Sequence, residues 1–357
     1  MSRILRRRRL IAGTVGVVAF AVGALGATTA AAQTGGEIRI TGSSTVEPIT
    51  GLVGELFSGE NPNVQIRVDG PGTGDGFELF CSAEAGQWDA TDASRPIQDS
   101  EAADCRSNAI NYTELTVGID GLTLVVNKAS KVKCVDQAQM YAIFGPESAG
   151  GDVNLADAQT LAAEIGSTNV PLPKGKVTKY TPGPESGTYD SFIEIGYEDI
   201  MEDRLEAGSI PSNRTATDDE GEAEVTEPLI AKGTFPNDNN IVQRVEASQN
   251  GIGFFGFAYF QENKGNLKAV AVYNEDTGTC VKPTAKTIQN GSYPISRPLF
   301  IYPDNAKIAA GGAVKDYFDF YMTEETLTET VTEAGYVPLA EEERQATLDA
   351  YKGIAST

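Results

Sequence analysis

The chain of 357 residues contains no histidine. That absence excludes a Ser-His-Asp triad, a Cys-His pair, phosphoryl transfer through histidine and every zinc site built on imidazole. A hydrolase on this chain would need Ser-Lys, aspartyl or carboxylate-pair chemistry, and no motif signals one. Cysteine is scarce: Cys81, Cys105, Cys134 and Cys280, with no Cys-x-x-Cys spacing, which argues against a thiolate metal site. Basic residues are few, with Lys+Arg at 28 against 50 Asp+Glu, a formal charge of −22. Such a surface opposes nucleic acid and anionic membrane. Past the first 32 residues no apolar run approaches a membrane span, and no internal repeat or low-complexity tract occurs. The acidic stretch Asp218-Asp219-Glu220-Gly221-Glu222-Ala223-Glu224 lacks the ligand spacing of a calcium loop and reads as a solvated loop.

What is present begins with an export signal. Arg3 and Arg6 to Arg9 form a basic end, Ile11 to Leu25 an apolar run diluted by glycine, and Ala30-Ala31-Ala32 a small-residue cleavage site. Residues 1–32 are therefore expected to be removed on export, by the general or the twin-arginine route. No cysteine adjoins the cleavage site, so no lipid anchor is expected there, and the protein should be periplasmic or extracellular, associated with the cell surface. Without the five leader arginines the formal charge falls from −22 to −27. The remaining chain of about 325 residues suits two lobes better than one core. Four cysteines form an even set, as an oxidising compartment favours. They allow three pairings; Cys81–Cys105 would close a short loop and Cys134–Cys280 would tie distant segments, and this combination is favoured.

Periodicity predicts an α/β architecture. Glu37 to Ile40 alternates as a strand, and Val46, Ile49, Leu52, Val53, Leu56 and Phe57 recur at helical spacing, with Pro48 in the first turn. Val64 to Val68 reads as a second strand, followed by a glycine turn and a helix carrying Phe77, Leu79, Phe80 and Cys81. Further strands are expected at Leu122 to Val126, Gly251 to Tyr259, Leu267 to Val272 and Leu299 to Tyr302. Further helices are expected at Val135 to Phe144, Tyr189 to Ile200 and Ala313 to Met322. Alternation of this kind buries a sheet between helices and gathers ligands at the carboxyl ends of strands.

Three segments put small hydroxyl and glycine residues directly ahead of an expected helix: Gly42-Ser43-Ser44-Thr45-Val46, Gly72-Thr73-Gly74-Asp75-Gly76 and Glu185-Ser186-Gly187-Thr188-Tyr189. Free N–H groups at a helix start, hydroxyl donors and close backbone approach suit an oxyanion, although each turn alone reads first as a helix cap. A fourth segment, Asp92-Ala93-Ser94-Arg95-Pro96-Ile97, adds a carboxylate, a hydroxyl and a guanidinium. Arg95 suits a forked pair with an oxyanion, and Asp92 suits acceptance of a proton that phosphate carries and sulfate lacks. Asp75 is a second candidate acceptor, with a plain helix-start acid as its simpler role.

In order along the chain, these segments resemble the phosphate-binding receptors of Pst-type ABC importers, PstS-like proteins of the class II periplasmic-binding-protein fold. Gly251-Ile252-Gly253-Phe254-Phe255 and Tyr293-Pro294-Ile295-Ser296-Arg297-Pro298-Leu299 add to the likeness, which covers nearly the whole chain after the leader. The resemblance implies two lobes, each a sheet flanked by helices, closing by hinge motion over phosphate in the cleft. The first lobe is expected over 33–120 with 294–357 and the second over 121–293, with crossings near Gly118 to Leu122 and Gly291 to Arg297. On that division Cys134–Cys280 lies within the second lobe and leaves the hinge free. Carried over by position, Ser44, Thr45, the N–H of Val46, Thr73, Asp92, Ser94 and Arg95 bind from one lobe, and Ser186, Gly187 and Thr188 from the other. Better-known members carry an arginine shortly before the position of Ser186. Here Tyr180-Thr181-Pro182-Gly183-Pro184 holds none, so Arg95 is taken as the cation ahead of Arg297. The implied function is non-enzymatic capture of inorganic phosphate, without a cofactor, by a monomer that serves a membrane permease and its ATPase. Another oxyanion, or hydrolysis of phosphate esters, is the alternative.

Overall fold

Alternating strands and helices build one edge of the sheet in parallel. In the computed structural model, which describes residues 35–82, 87–167, 170–218 and 221–356, β1 (Gly36–Gly42) pairs in parallel with β2 (Val64–Val68) and with β3 (Ala90–Ala93). The expected leader, 1–32, and residues 219–220 of the acidic stretch lie outside the described residues. Helices α1 (Glu47–Glu60) and α2 (Thr73–Cys81) follow β1 and β2. Pro48 occupies the first turn of α1, where a missing N–H costs nothing, and Ile49, Val53 and Phe57 line its buried face. Leu56, expected on that face, is 42 % exposed, because it stands one step round the helix from Phe57.

The sheet then turns antiparallel. After α3 (Asp99–Ser107), the long strand β4 (Leu115–Asn127) pairs through Leu115–Gly121 with the strand Ser296–Pro303, and through Leu122–Val126 with the strand Gly251–Gly256. Ser296–Pro303 also pairs with β3, and Gly251–Gly256 with the strand Lys176–Pro182, so the ladder is continuous across the chain. Helices α4 (Gln137–Phe144), α5 (Leu155–Glu164) and α6 (Gly187–Gly196) share a core with the Leu122–Val126 half of β4.

The apolar side chains of this continuous ladder fall into separate cores. Leu115 and Val117 of β4, with Leu299 and Ile301, pack with Val53, Phe57, Tyr317 and Phe318. Leu122, Leu124 and Val126 of the same β4 pack with Tyr141, Phe144, Phe192 and Phe254. A smaller cluster joins Phe77, Phe80, Trp88 and Tyr302 around Cys81 and Cys105.

Two expected elements differ. The strand expected over Gly251 to Tyr259 ends at Gly256, and Phe257–Asn263 is helical, turning Phe257 and Phe260 into the core. The stretch Leu267 to Val272 divides at Val270: Leu267–Ala269 pairs with β4 and Ala271–Asn274 joins a small separate sheet. Among the described residues no helix is long and apolar enough to cross a membrane.

Cys81 bonds Cys105 and Cys134 bonds Cys280, the favoured pairing. The second bridge spans a sequence separation of 146, so it removes much chain entropy from the unfolded state. Replacing Cys134 and Cys280 by serine is expected to lower the unfolding free energy by about 2–4 kcal/mol. Urea denaturation of the two forms measures this, and equal midpoints would contradict it.

Candidate functional site

The turn after β1 is set by its glycine and its first serine. Gly42 has φ of 125°, and a side chain there would bring Cβ to 2.1 Å from the Asp92 carbonyl oxygen. Ser43 closes the turn on itself: its Oγ accepts from the Thr45 N–H at 3.2 Å, and its carbonyl accepts from the N–H groups of Val46 and Glu47 at 3.0 Å each. The Val46 N–H, expected to face an anion, is thereby spent within the turn. The polar side chains left to the turn are the hydroxyls of Ser44 and Thr45.

Both hydroxyls meet α6. Ser44 Oγ donates to Asp190 Oδ2 at 3.1 Å, and Thr45 Oγ1 lies 3.0 Å from Ser191 Oγ. Tyr336 donates to the Thr45 carbonyl at 2.6 Å and steadies the same turn. Ser186 is the N-cap of α6, accepting from the Thr188 N–H at 3.3 Å, which leaves its own O–H to donate elsewhere. A Cβ on Gly187 would stand 2.9 Å from the Ser44 carbonyl oxygen, so the two turns meet where only glycine fits. Ser44, Gly187 and Asp190 also line a groove of about 1010 Å³ together with Glu47 and Glu185.

The second turn and the β3 segment also come together. Thr73, at the start of α2, lies 3.0 Å from Ser94 Oγ and accepts from the Ser94 N–H at 3.1 Å. Asp92, at 1 % exposure, accepts from Thr50 Oγ1 at 3.0 Å through Oδ1, while its Oδ2 is buried without a partner. Burial holds its carboxyl well above the usual range; the Thr50 bond opposes this and the Glu47 charge adds to it. Asp75 stays exposed in the first turn of α2.

Arg95 departs from expectation. Its guanidinium forks onto Glu101 at 2.9 and 2.7 Å, because Glu101 is already fixed at the start of α3 by the Gln98 N–H at 2.7 Å. Arg297 instead reaches the turns. Its Nη2 lies 3.4 Å from Thr45 Oγ1 and 3.5 Å from Ser191 Oγ, and pairs with Glu194 on α6. The strand pairing sets Arg297 directly opposite Asp120 on β4. Asp120 is 4 % exposed and has a buried Oδ2 without a partner; burial pushes its carboxyl up and Arg297 pulls it down.

Asp120, Asp190, Ser191, Glu194 and Tyr336 were not among the expected site residues. A signal existed for three of them. Once Ser186 caps α6, positions 190, 191 and 194 fall on neighbouring faces of its first two turns. Asp120 and Tyr336 depend on strand pairing and on a contact 291 residues distant, which no local pattern carries.

Chemically the arrangement can bind. Hydroxyls and one guanidinium donate, and buried carboxylate oxygens wait for a donor. Thr41 Oγ1, Thr91 Oγ1 and Arg297 Nε are buried without partners as well, so the region holds uncompensated polar atoms of both kinds. That fits a small, partly protonated oxyanion.

Comparison with known proteins agrees. Residues 27–325 match the family model of the PBP superfamily domain. The chain is 37 % identical over 299 residues to the SphX protein of Synechococcus elongatus, covering 84 % of this chain and 76 % of that one. It is 32 % identical over 319 residues to the phosphate-binding protein PstS of Staphylococcus saprophyticus, covering 88 % and 85 %. The crystal structure of a possible phosphate binding protein from Planctomyces limnophilus superposes with a TM-score of 0.73 at 32 % identity, covering 90 % of this chain and 99 % of that one. With the mixed sheet, the paired hydroxyl turns and these relatives together, the chain belongs to the PstS and SphX group of the periplasmic-binding-protein superfamily, with the class II fold.

Proposed function

We propose that this protein is an exported receptor that captures inorganic phosphate in a cleft between two lobes and delivers it to the permease and ATPase of an ABC importer. The observation that carries the reading is Asp92: a buried carboxylate with one oxygen held by Thr50 and the other unpartnered, beside turns rich in hydroxyls. Such a group accepts a hydrogen bond from HPO4²⁻ or H2PO4⁻ and repels sulfate, which has no proton to give. The names of the relatives, PstS and phosphate-binding protein, support the same ligand.

The lobes are 33–120 with 294–357, and 121–293. The change of core partners along β4, from Leu115 and Val117 to Leu122 and Leu124, supports a hinge there. The ligand-bearing residues are Ser44, Thr45, Thr73, Asp92 and Ser94 on one side and Ser186, Gly187 and Thr188 on the other. Arg297, in reach of Thr45 and Ser191, is the cation in place of Arg95. The protein acts as a monomer outside the membrane and performs no chemistry on its ligand.

Calorimetric titration of the purified mature protein tests the reading. Phosphate is expected to bind tightly and sulfate weakly, and Asp92→Asn to narrow that difference by about ten- to a hundredfold. Equal heats for both anions, or none for phosphate, would sink it.

A further inference from the structure

We propose that Asp190 sets the anion specificity of the cleft by fixing the proton of Ser44, so that Ser44 meets the ligand as an acceptor. The inference rests on the phosphate reading above. A serine hydroxyl has one proton to donate and two lone pairs that accept. Ser44 spends its proton on Asp190 Oδ2 at 3.1 Å. What remains for a ligand at Ser44 is lone-pair density. An anion oxygen facing it must then carry a proton or be repelled.

The surroundings hold this orientation. Asp190 cannot supply a proton to Ser44 as an ionised carboxylate, and the nearby cation, Arg297, is itself occupied with Glu194, one turn along α6. The neighbouring carboxylates on the groove, Glu47 and Glu185, are acceptors too. Asp190 is therefore a positioning residue that reads the ligand's protonation through Ser44.

Titrations of the purified protein with phosphate, arsenate and sulfate at one fixed neutral pH provide the test. Arsenate, which carries protons as phosphate does, should follow phosphate in every variant. In Asp190→Asn the amide can donate to the Ser44 oxygen and free the serine proton for the ligand. The sulfate-to-phosphate affinity ratio should then rise by about ten- to a hundredfold. Ser44→Ala, which leaves α6 unaltered, should raise the same ratio by a smaller factor, and the double variant should match Ser44→Ala. Should Asp190→Asn fail to fold, the Ser44→Ala ratio alone decides. An unchanged ratio in variants that still bind phosphate overturns the role of Asp190 and leaves the phosphate reading intact. Absence of phosphate binding by the unaltered protein overturns both.

Discussion

Arg297→Ala is expected to weaken phosphate binding about a hundredfold or more, and Arg95→Ala by less than about fivefold. The difference follows from what each guanidinium touches. Arg95 is held by Glu101 in a two-bonded fork, with its side chain 34 % exposed, so its removal leaves a screened carboxylate at the surface. Arg297 is 17 % exposed at the side chain and stands among Thr45, Ser191, Glu194 and Asp120. Its loss leaves two carboxylates without their counter-charge beside the place an anion must enter. Arg297→Ala with Glu194→Ala should therefore recover part of the lost affinity, because one of those carboxylates is gone. Calorimetry on the four forms measures this. A larger loss for Arg95→Ala than for Arg297→Ala would return the cationic role to Arg95.

That reassignment marks where the sequence stops being readable. The hydroxyl turns were legible because small hydroxyl residues, a glycine and an apolar periodicity lie within a few residues of one another, as at Gly42 to Pro48 and Ser186 to Phe192. The α/β class followed from the same local patterns. Arg297 was not legible as a neighbour of Thr45, since the contact arises from antiparallel pairing of Ser296–Pro303 with β4. Arg95 looked the better cation because it adjoins Asp92 in sequence. Its capture by Glu101 uses a capping interaction six residues on, which a reading centred on the anion overlooked. The strand expected to run to Tyr259 failed for a related reason: Phe257 and Phe260 suit a buried strand by composition, but their spacing of three belongs to a helix.

The stability of the protein is expected to rise from neutral to alkaline pH, with Lys179 as a principal source. Lys179 lies in the strand Lys176–Pro182 that leads to the Ser186 turn, and it is 0 % exposed. Its Nζ donates to the Ile143 carbonyl at 2.6 Å and to Ser148 Oγ at 2.7 Å. The face of Phe144 lies 5.9 Å away. Burial, followed by the Arg214 charge, brings its pKa down from 10.5 to about 7, while Asp152 pulls weakly the other way. A lysine depressed in the folded state binds fewer protons there than in the unfolded chain between those two values. Stability therefore increases with pH across that window, and below the folded value the full cost of burying the ammonium is borne. From about pH 7 to about pH 9.5 the gain from this residue should be about 3 kcal/mol. The window stops short of the range in which tyrosines ionise in the unfolded chain; those buried here, such as Tyr317 and Tyr321, have raised values and contribute the opposite slope above it. Lys179→Met keeps the bulk and removes the charge, at the expense of two buried hydrogen bonds, to Ser148 Oγ and to the Ile143 carbonyl, which keeps the Ser148 hydroxyl as its other donor. Its absolute stability thus reflects two opposed effects, whereas its pH slope reflects one. Urea denaturation across the window should show the rise in the unaltered protein and a flat response in Lys179→Met. Equal slopes would mean that the ammonium is accommodated in charged form by Ile143 and Ser148, with no proton exchanged on folding.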